Sequence, residues 1–394
     1  MAFGVGKKMM RRRRKGRSKI NGVFHDDVLV EILQRAPSES VARCKAVCKR
    51  WRDLISTRFF FDRFCGHHQL SGEEECVATR CSTRVHLFLF HPHFERQFSL
   101  DFLPFYESVI TSKFVMGYCE GLLLCDPDAK YQLFYHIVNP ITKTWVGLPA
   151  APGFGADLDV VVGLAYYPDP PRPRFKIVRI LPPREPRPAS EFEVGTFCSE
   201  TGKWIRRMVT SPKPITWTDF MFMPPPLFYQ GYLHWMDSQM QAILYDVEND
   251  KIPFILDPPA GAAVPTEELF CFGLCGGRLY VAELHYATLR IWELKHQRQG
   301  RPEWSMQRQV HLQEESSIRH GRDWLPVIST SRLPLLAIHP LDINVVYIRI
   351  QDEVISCNLR TQTLKSFCKV PPCNCTMSIT LPPWPTSIPQ IQNS

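Results

Sequence analysis

The histidine and cysteine residues are the side chains with the clearest capacity for metal chemistry. They cluster in "CGHH" at residues 65–68, "HPH" at 91–93 and "CKVPPCNC" at 368–375. A structural zinc site needs two ligand pairs at short fixed spacings, and none of the clusters has that pattern. The sequence therefore favours buried thiols and surface imidazoles, and we expect no bound metal and no cofactor.

Motifs for nucleophilic, phosphate or zinc-hydrolase chemistry do not occur in the chain. The sequence has no G-x-S-x-G, no G-x-x-x-x-G-K and no H-E-x-x-H. Scattered Asp and Glu residues could form a carboxylate pair like that of glycosidases, but the sequence places no two of them together. We expect a non-catalytic protein, and an enzyme stays open as an alternative.

Two tryptophans are candidates for recognising another protein. Trp217 lies in "PITWTDF" and Trp324 in "GRDWLP", which both resemble loops. An exposed tryptophan is an effective anchor at an interface. Four other tryptophans lie in strand-like segments and are expected in the core or packed between blades: Trp145, Trp204, Trp235 and Trp292.

The positive charge of the chain is concentrated near its start. Residues 7–19 contain nine Lys and Arg and no acid, so subtracting them from the net charge of +8 leaves −1 for the rest. A basic nucleic-acid-binding face is therefore not supported. Short basic clusters in disordered segments are typical of nuclear-import signals. The candidate import residues are Arg11, Arg12, Arg13, Arg14 and Lys15, within a disordered tail at 1–20.

No run of about 18 apolar residues is present, so we expect no membrane span and no secretory signal. The 14 cysteines are scattered, mostly within apolar segments such as "GYCEGLLLC" and "LFCFGLCGG". This usage favours reduced, buried thiols over a disulfide framework. The expected location is the nucleus, the cytoplasm or both.

Residues 26–55 contain two runs with helical periodicity. Val28, Leu29, Ile32 and Leu33 share one helix face, and Asp26 or Asp27 is expected to cap that helix. Pro37 is expected to end it. A second amphipathic run carries apolar residues every three or four positions from residue 41 to 55. A unit this small cannot bury all of its apolar surface. Part of that surface should therefore contact another protein or the rest of the chain.

Residues 24–51 resemble the F-box motif without a gap. The matching residues are Asp27, Leu29, Glu31, Ile32, Leu33, Arg35, Pro37, Ser40, Arg43, Val47, Cys48, Lys49, Trp51 and Arg52. The resemblance implies binding to a Skp1-like adaptor and, through it, to cullin. The residues implied to bind Skp1 are Phe24, Val28, Leu29, Ile32, Leu33, Pro37, Val41, Cys44, Val47, Cys48, Trp51, Leu54 and Ile55. Phe24-His25 replaces the usual Leu-Pro, which loses the fixed φ of proline.

From about residue 80 the chain reads as many short strands separated by Gly, Pro, Asp and Asn turns. The pattern is typical of an all-β sandwich, barrel or propeller. Approximate repeats beginning at Gly121, Gly231 and Gly277 favour the propeller, with about six blades and a seventh left open. We expect one sheet to combine an N-terminal and a C-terminal strand, and deletion of the last thirty or so residues to be harmful.

This part of the chain resembles the F-box-associated and kelch-like propellers of plant F-box proteins. The phrase N-P-x-T-x-x-W-x-x-L-P is matched at residues 139–149. We therefore expect a small all-α F-box at 21–66, a β-propeller at 80–384 and a tail at 385–394. The resemblance implies the substrate-recognition subunit of an SCF-type ubiquitin ligase, with an unknown protein target. A propeller scaffold with a degenerate F-box is the alternative from a different class.

Overall fold

The computed structural model describes the greater part of the chain. The described residues are 25–36, 38–55, 57, 59–60, 63–64, 67, 75–80, 85–91, 94–98, 100, 102–104, 115–127, 133–152, 160–168, 173–181, 188–215, 226–236, 241–262, 270–285, 287–296, 300–312, 335–339, 342–369, 375–380 and 386–391. The chain divides into two compact units, residues 1–70 and 71–394.

The first unit is helical. Its helices are α1 (Asp26–Leu33), α2 (Ser38–Cys44) and α3 (Lys49–Ile55). The second amphipathic run of the sequence is thus shared between α2 and α3. A tight turn separates them, in which the Ala46 and Val47 N–H groups donate to carbonyls three residues earlier.

In the second unit, the described residues form 24 strands in six four-stranded antiparallel sheets, numbered here along the chain. Sheet 1 contains β1 (Glu75–Arg80), β2 (Val85–His91), β3 (Phe94–Phe98) and β24 (Cys375–Thr380). Sheet 2 contains β4 (Val115–Cys119), β5 (Leu122–Cys125), β6 (His136–Asn139) and β7 (Thr144–Gly147). Sheet 3 contains β8 (Val161–Tyr167), β9 (Arg174–Leu181), β10 (Ala189–Cys198) and β11 (Lys203–Ile215).

The other three sheets follow the same plan. Sheet 4 contains β12 (Leu227–Tyr229), β13 (Tyr232–Met236), β14 (Ala242–Asp246) and β15 (Lys251–Leu256). Sheet 5 contains β16 (Phe270–Cys275), β17 (Arg278–His285), β18 (Thr288–Lys295) and β19 (Glu303–His311). Sheet 6 contains β20 (Leu335–Ile338), β21 (Val345–Ile350), β22 (Glu353–Asn358) and β23 (Thr363–Lys369).

Sheets 2 to 6 are simple meanders, whereas sheet 1 joins distant parts of the chain. Its strand order is β24-β1-β2-β3, and β1 pairs with β24 from Glu75↔Thr380 to Arg80↔Cys375. Apolar clusters lie between sheets 2 and 3, between sheets 3 and 4 and between sheets 5 and 6, so neighbouring sheets cover each other's apolar faces there. This is a β-propeller, and the predicted shared N- and C-terminal sheet is confirmed.

The repeated glycines mark the turn between the first and second strands of a sheet. Glu120-Gly121 and Gln230-Gly231 each have positive φ at both residues, with φ of 76° at Gly121 and 83° at Gly231. Such two-residue turns match the twist of antiparallel strands, and they favour glycine because other residues are strained there. The sequence repeat therefore reflects a repeated hairpin.

The Thr- and Asn-containing turns connect the third and fourth strands. Asn139 Oδ1 accepts the N–H groups of Ile141 and Thr142 at 2.9 and 3.0 Å. Asn358 Oδ1 accepts those of Arg360 and Thr361, both at 3.0 Å. Asp246 makes the equivalent pair of bonds in sheet 4. The side chain closes the turn by satisfying backbone donors that strand pairing leaves free.

The tryptophans expected in the core do not all lie there. Trp235 and Trp292 are buried, and Trp204 is half-buried with its indole N–H bonded to the Pro149 carbonyl at 2.9 Å. Trp145 is 42% exposed, so its predicted burial is wrong. It lies on β7, an outermost strand whose residues are mostly exposed. A strand-like sequence does not reveal whether the strand is inner or outer.

The apolar cysteine segments behave as predicted. Cys119, Cys125, Cys271 and Cys275 are buried and form no disulfide bond. Burial raises the pKa of the Cys119 and Cys271 thiols far above the usual range, which keeps both protonated. These cysteines therefore act as small apolar core residues.

Candidate protein-docking site

The helical unit has a small core of its own. Leu29, Val30 and Leu33 on α1 are buried, as are Val41 on α2 and Ile55 on α3. Phe60 and Phe64 complete this core, and their rings stack at a centroid distance of 5.9 Å. Four residues that the sequence predicted as Skp1 contacts, Leu29, Leu33, Val41 and Ile55, thus pack inside the unit. Their direct role there is to hold the helices together.

A second apolar face of the unit is open to solvent. Val28 is 44% exposed and Ile32, one turn further along α1, is 51% exposed. Val47, in the turn before α3, is 63% exposed. Residues four apart lie on one side of a helix, so Val28 and Ile32 form a continuous strip. We call Val28, Ile32 and Val47 the docking face.

An ion pair relates α3 to α1 at one end of the unit. Arg50 Nη2 lies 2.7 Å from Asp26 Oδ1, and Arg50 Nε donates to the same oxygen at 2.9 Å. Val47 precedes Arg50 by three residues, and Val28 follows Asp26 by two. The ion pair therefore holds the first turn of α3 near the first turn of α1.

A polar network ties the end of α1 to the residues after α3. Gln34 Nε2 donates to Glu31 Oε2 at 2.7 Å, and Arg63 Nη2 donates to that oxygen at 3.0 Å. Arg63 Nε donates to Gln34 Oε1 at 3.0 Å. The Arg63 guanidinium also lies 5.7 Å from the ring centroid of Phe59, which is exposed. The network holds α1 in place without using the docking face.

The start of α1 retains the geometry of a proline. His25 is the N-cap residue, with φ −64° and ψ 155°, and its carbonyl accepts the Val28 and Leu29 N–H groups. A proline would impose a φ near −65°. His25 therefore adopts the same backbone conformation without the covalent constraint. Asp26 and Asp27 lie in the first turn, and no side chain caps the helix, so the capping predicted for them is wrong.

The remaining predicted Skp1 contacts are divided between half-buried and undescribed positions. Cys44, Cys48, Trp51 and Leu54 are partly exposed. Burial lowers the pKa of Lys45 and raises that of Cys44 next to it. Phe24 and Pro37 lie outside the described residues.

Two other sets of predicted site residues also lie outside the described part of the chain. They are the target-binding candidates Trp217 and Trp324 and the import candidates Arg11, Arg12, Arg13, Arg14 and Lys15.

Sequence reasoning missed Phe59 and the partners Arg50 and Arg63. Phe59 belongs to the run "FFF" at residues 59–61, in which helical periodicity cannot tell an exposed ring from a buried one. The ion pairs join residues 24 and 32 positions apart, so no local pattern indicates them.

Two further possibilities are a metal-binding site and a membrane-spanning helix. Within the described ranges, no group of three or more His, Cys, Asp or Glu side chains is arranged to bind a metal ion. Among the same residues, no helix is both long and apolar enough to cross a membrane.

Comparisons with known proteins agree with this arrangement of a helical unit followed by a propeller. Residues 26–67 match the F-box-like family. Residues 94–380, more than half of the chain, match the family described as "F-box protein At3g26010-like, beta-propeller". The molecule is thus an F-box protein with a β-propeller. The chain belongs to this At3g26010-like β-propeller family of F-box proteins.

Similar proteins from Arabidopsis thaliana are named as F-box or F-box/kelch-repeat proteins. The chain is 31% identical to F-box protein At5g49610 over 58% of its own length, and the match spans 62% of that relative. It is 24% identical to putative F-box/kelch-repeat protein At1g15680, over 86% of the chain and 82% of the relative. It is 22% identical to putative F-box protein At3g23950, over 85% and 82%.

Proposed function

We propose that this protein is the substrate-recognition subunit of an SCF-type ubiquitin ligase. The docking face of Val28, Ile32 and Val47 binds a Skp1-like adaptor, and the propeller binds a protein target. The six sheets then act as six blades of one closed ring. The chain itself catalyses nothing. It raises the concentration of target lysines near the ubiquitin-conjugating enzyme by holding both in one complex.

The observation that carries this proposal is the exposure of three large aliphatic side chains on a unit that already has a packed core. Exposed apolar residues grouped on one face are typical of protein interaction sites. The buried residues Leu29, Leu33, Val41 and Ile55 form the core that holds the helices in place. The backbone of His25 supports adaptor binding despite the loss of proline.

The test is binding of the full-length chain to purified Skp1, measured by isothermal titration calorimetry. Ile32→Asp and Val47→Asp each place a charge on the docking face, and we expect each to weaken binding by about tenfold or more. Met208→Asp is the matched control, since Met208 is 66% exposed but lies on β11 of the propeller. It should leave the affinity unchanged.

Saturable binding that the two docking-face variants lose and the control retains would support the adaptor role. If the folded wild-type chain does not bind Skp1, the propeller scaffold with a degenerate F-box replaces it as the leading function. The His25 position favours keeping that second candidate, because it lacks the proline usual in the motif.

We also propose that the basic cluster from Arg11 to Lys15 is a nuclear-import signal. A fluorescent fusion of the chain should accumulate in nuclei, and replacing Arg11, Arg12, Arg13 and Arg14 by alanine should abolish that accumulation. Equal distribution of both fusions between nucleus and cytoplasm would contradict the proposal.

A further inference from the structure

Residues 386–391, "TSIPQI", follow β24 and belong to none of the six sheets. They are nevertheless held against sheets 2 and 3. The carbonyl of Thr386 accepts a bond of 2.6 Å from Asn139 Nδ2, and the Thr386 hydroxyl donates to the Glu120 carbonyl. Burial raises the pKa of Tyr166, and the Ser387 hydroxyl, which lies near that of Tyr166, lowers this pKa by a smaller amount.

After these hydrogen bonds, the rest of residues 386–391 is held by apolar contacts. Ile388 and Ile391 pack against the cluster that lies between sheets 2 and 3, and Pro389 is buried. Glu120, Asn139, Tyr166 and this cluster together form what we call the inter-sheet groove. The groove thus binds two hydroxyl residues, one carbonyl and two isoleucines of a single short segment.

Asn139 distinguishes this groove from the equivalent turns. Its Oδ1 closes the turn after β6, as Asp246 and Asn358 do in sheets 4 and 6. The second oxygen of Asp246 accepts a bond from Asn249 within its own turn, at 2.8 Å. Asn139 instead directs its Nδ2 at the segment. Asn358 carries the same donor group, but the Nδ2 of Asn139 is the one that bonds to a carbonyl of residues 386–391.

The attachment uses groups that the fold does not need for strand pairing. Glu120 is a central residue of a tight turn, with φ 49°, so its carbonyl lies outside the β4–β5 pairing. The segment contains no charged residue, and Asn139 and Tyr166 are uncharged and buried. Glu120 contributes its backbone carbonyl, and this residue is exposed. Burial of a charge here would be costly. The groove therefore suits a neutral peptide that can leave without opening a sheet.

We propose that the inter-sheet groove is a peptide-binding site, which the chain's own residues 386–391 occupy in this structure. A target protein binds there through a neutral, extended segment and displaces residues 386–391. That segment carries Ser or Thr at its first position and aliphatic residues two and five positions later. The proposal rests on the proposed function for the identification of this partner as the ligase target.

The test uses a fluorescent peptide of residues 384–394 and a chain that lacks residues 386–394. Fluorescence anisotropy should show saturable binding to the shortened chain. The full chain should bind the peptide at least about tenfold more weakly, because its attached segment competes at a high effective concentration. A peptide with Ile388→Asp should not bind either chain.

A matched pair of substitutions tests the assigned donor. Asn139→Asp keeps the oxygen that closes the turn but loses the N–H group that bonds to the Thr386 carbonyl. In the shortened chain it should weaken peptide binding by about tenfold, the usual scale for a lost bond between buried groups. Asn358→Asp makes the same change in sheet 6 and should have no effect. In the full chain, only Asn139→Asp should accelerate amide exchange of residues 386–391.

Two results would overturn the proposal. A shortened chain that unfolds cooperatively but binds no peptide would show that the groove is not a peptide site. A shortened chain that loses cooperative unfolding would show that residues 386–391 are a permanent part of the fold. Neither outcome depends on Skp1, so a failure here is distinguishable from a failure of the adaptor role.

Discussion

The helical unit and the propeller handle apolar surface in different ways. Among the described residues, nine large apolar side chains are exposed, and four of them lie in the much smaller helical unit. The propeller buries its apolar residues between successive sheets, where each new sheet covers the last. In the helical unit, Val28, Ile32, Val47 and Phe59 stay exposed. A unit of this size cannot bury all of its apolar side chains in its own core.

The largest expected effect concerns burial within the propeller. Trp292 on β18 is 1% exposed, so Trp292→Ala should destabilise the propeller by about 3–5 kcal/mol, through lost apolar contact and an unfilled cavity. Trp145→Ala, on an exposed outer strand, should cost well under half as much. Thermal unfolding of both variants measures the difference. Equal losses would contradict the division into inner and outer tryptophans.

The neighbouring residues Leu33 and Ile32 make the same contrast within α1. Leu33 is buried and Ile32 is exposed, so Leu33→Ala should destabilise the helical unit by about 2–4 kcal/mol. Ile32→Ala should cost less than about 1 kcal/mol. Hydrogen exchange of the amides in α1 reports the stability of this unit separately from that of the propeller. A larger loss from Ile32→Ala would mean that the two faces of α1 have been exchanged.

Acid should destabilise the propeller through His234, which is completely buried. Burial, with the nearby His296 as a smaller cause, lowers the pKa of His234 from 6.5 to about 3. The unfolded chain therefore binds a proton between these values that the folded chain does not, and stability falls as the pH drops below 6.5. At pH 5 the loss should be about 2 kcal/mol.

The control for this pH dependence is His234→Phe, which keeps an aromatic ring beside Tyr232 and Phe272. Between pH 7 and pH 5, the free energy of unfolding of this variant should fall less than that of the wild type. Urea unfolding at both pH values measures it. The same pH dependence in both proteins would place the acid sensitivity elsewhere.

The smallest expected effect concerns His25, the residue before α1. Because His25 already has φ −64°, His25→Pro should fit without strain and reduce the conformational freedom of the unfolded chain. We expect a gain of about 0.4–1 kcal/mol in the stability of the helical unit and an increase of a few-fold in Skp1 affinity. Calorimetry with Skp1 checks the affinity. A loss of affinity would show that His25 itself contributes a contact.

Local sequence patterns predicted much of the second unit. Gly121, Gly231 and the residues Asn139 and Asn358 mark repeated turns, and the structure gives each a physical cause in positive φ or in a side chain that closes the turn. Apolar segments around Cys119 and Cys271 were correctly expected in the core. These features involve residues only a few positions apart, so the sequence alone contains the relevant interaction.

The docking face was predicted only in outline. Helical periodicity identified α1 and placed Leu29 and Leu33 on one face with Val28 and Ile32, and the F-box resemblance implied that all four bind Skp1. The apolar residues of α1 cover more than one side of the helix, and periodicity does not say which side meets the other helices. The structure separates the two sets, since Leu29 and Leu33 pack within the unit and Val28 and Ile32 do not.

By itself, the sequence determined that a short helical unit precedes a body of repeated β-hairpins, because periodicity, turn residues and motif spacing are local properties of the chain. Only the tertiary structure decided which apolar residues remain exposed, in which register β24 pairs with β1, and that Asn139 holds Thr386 across 247 positions. Those outcomes depend on which distant surfaces meet when the sheets pack together. No local pattern carries that information.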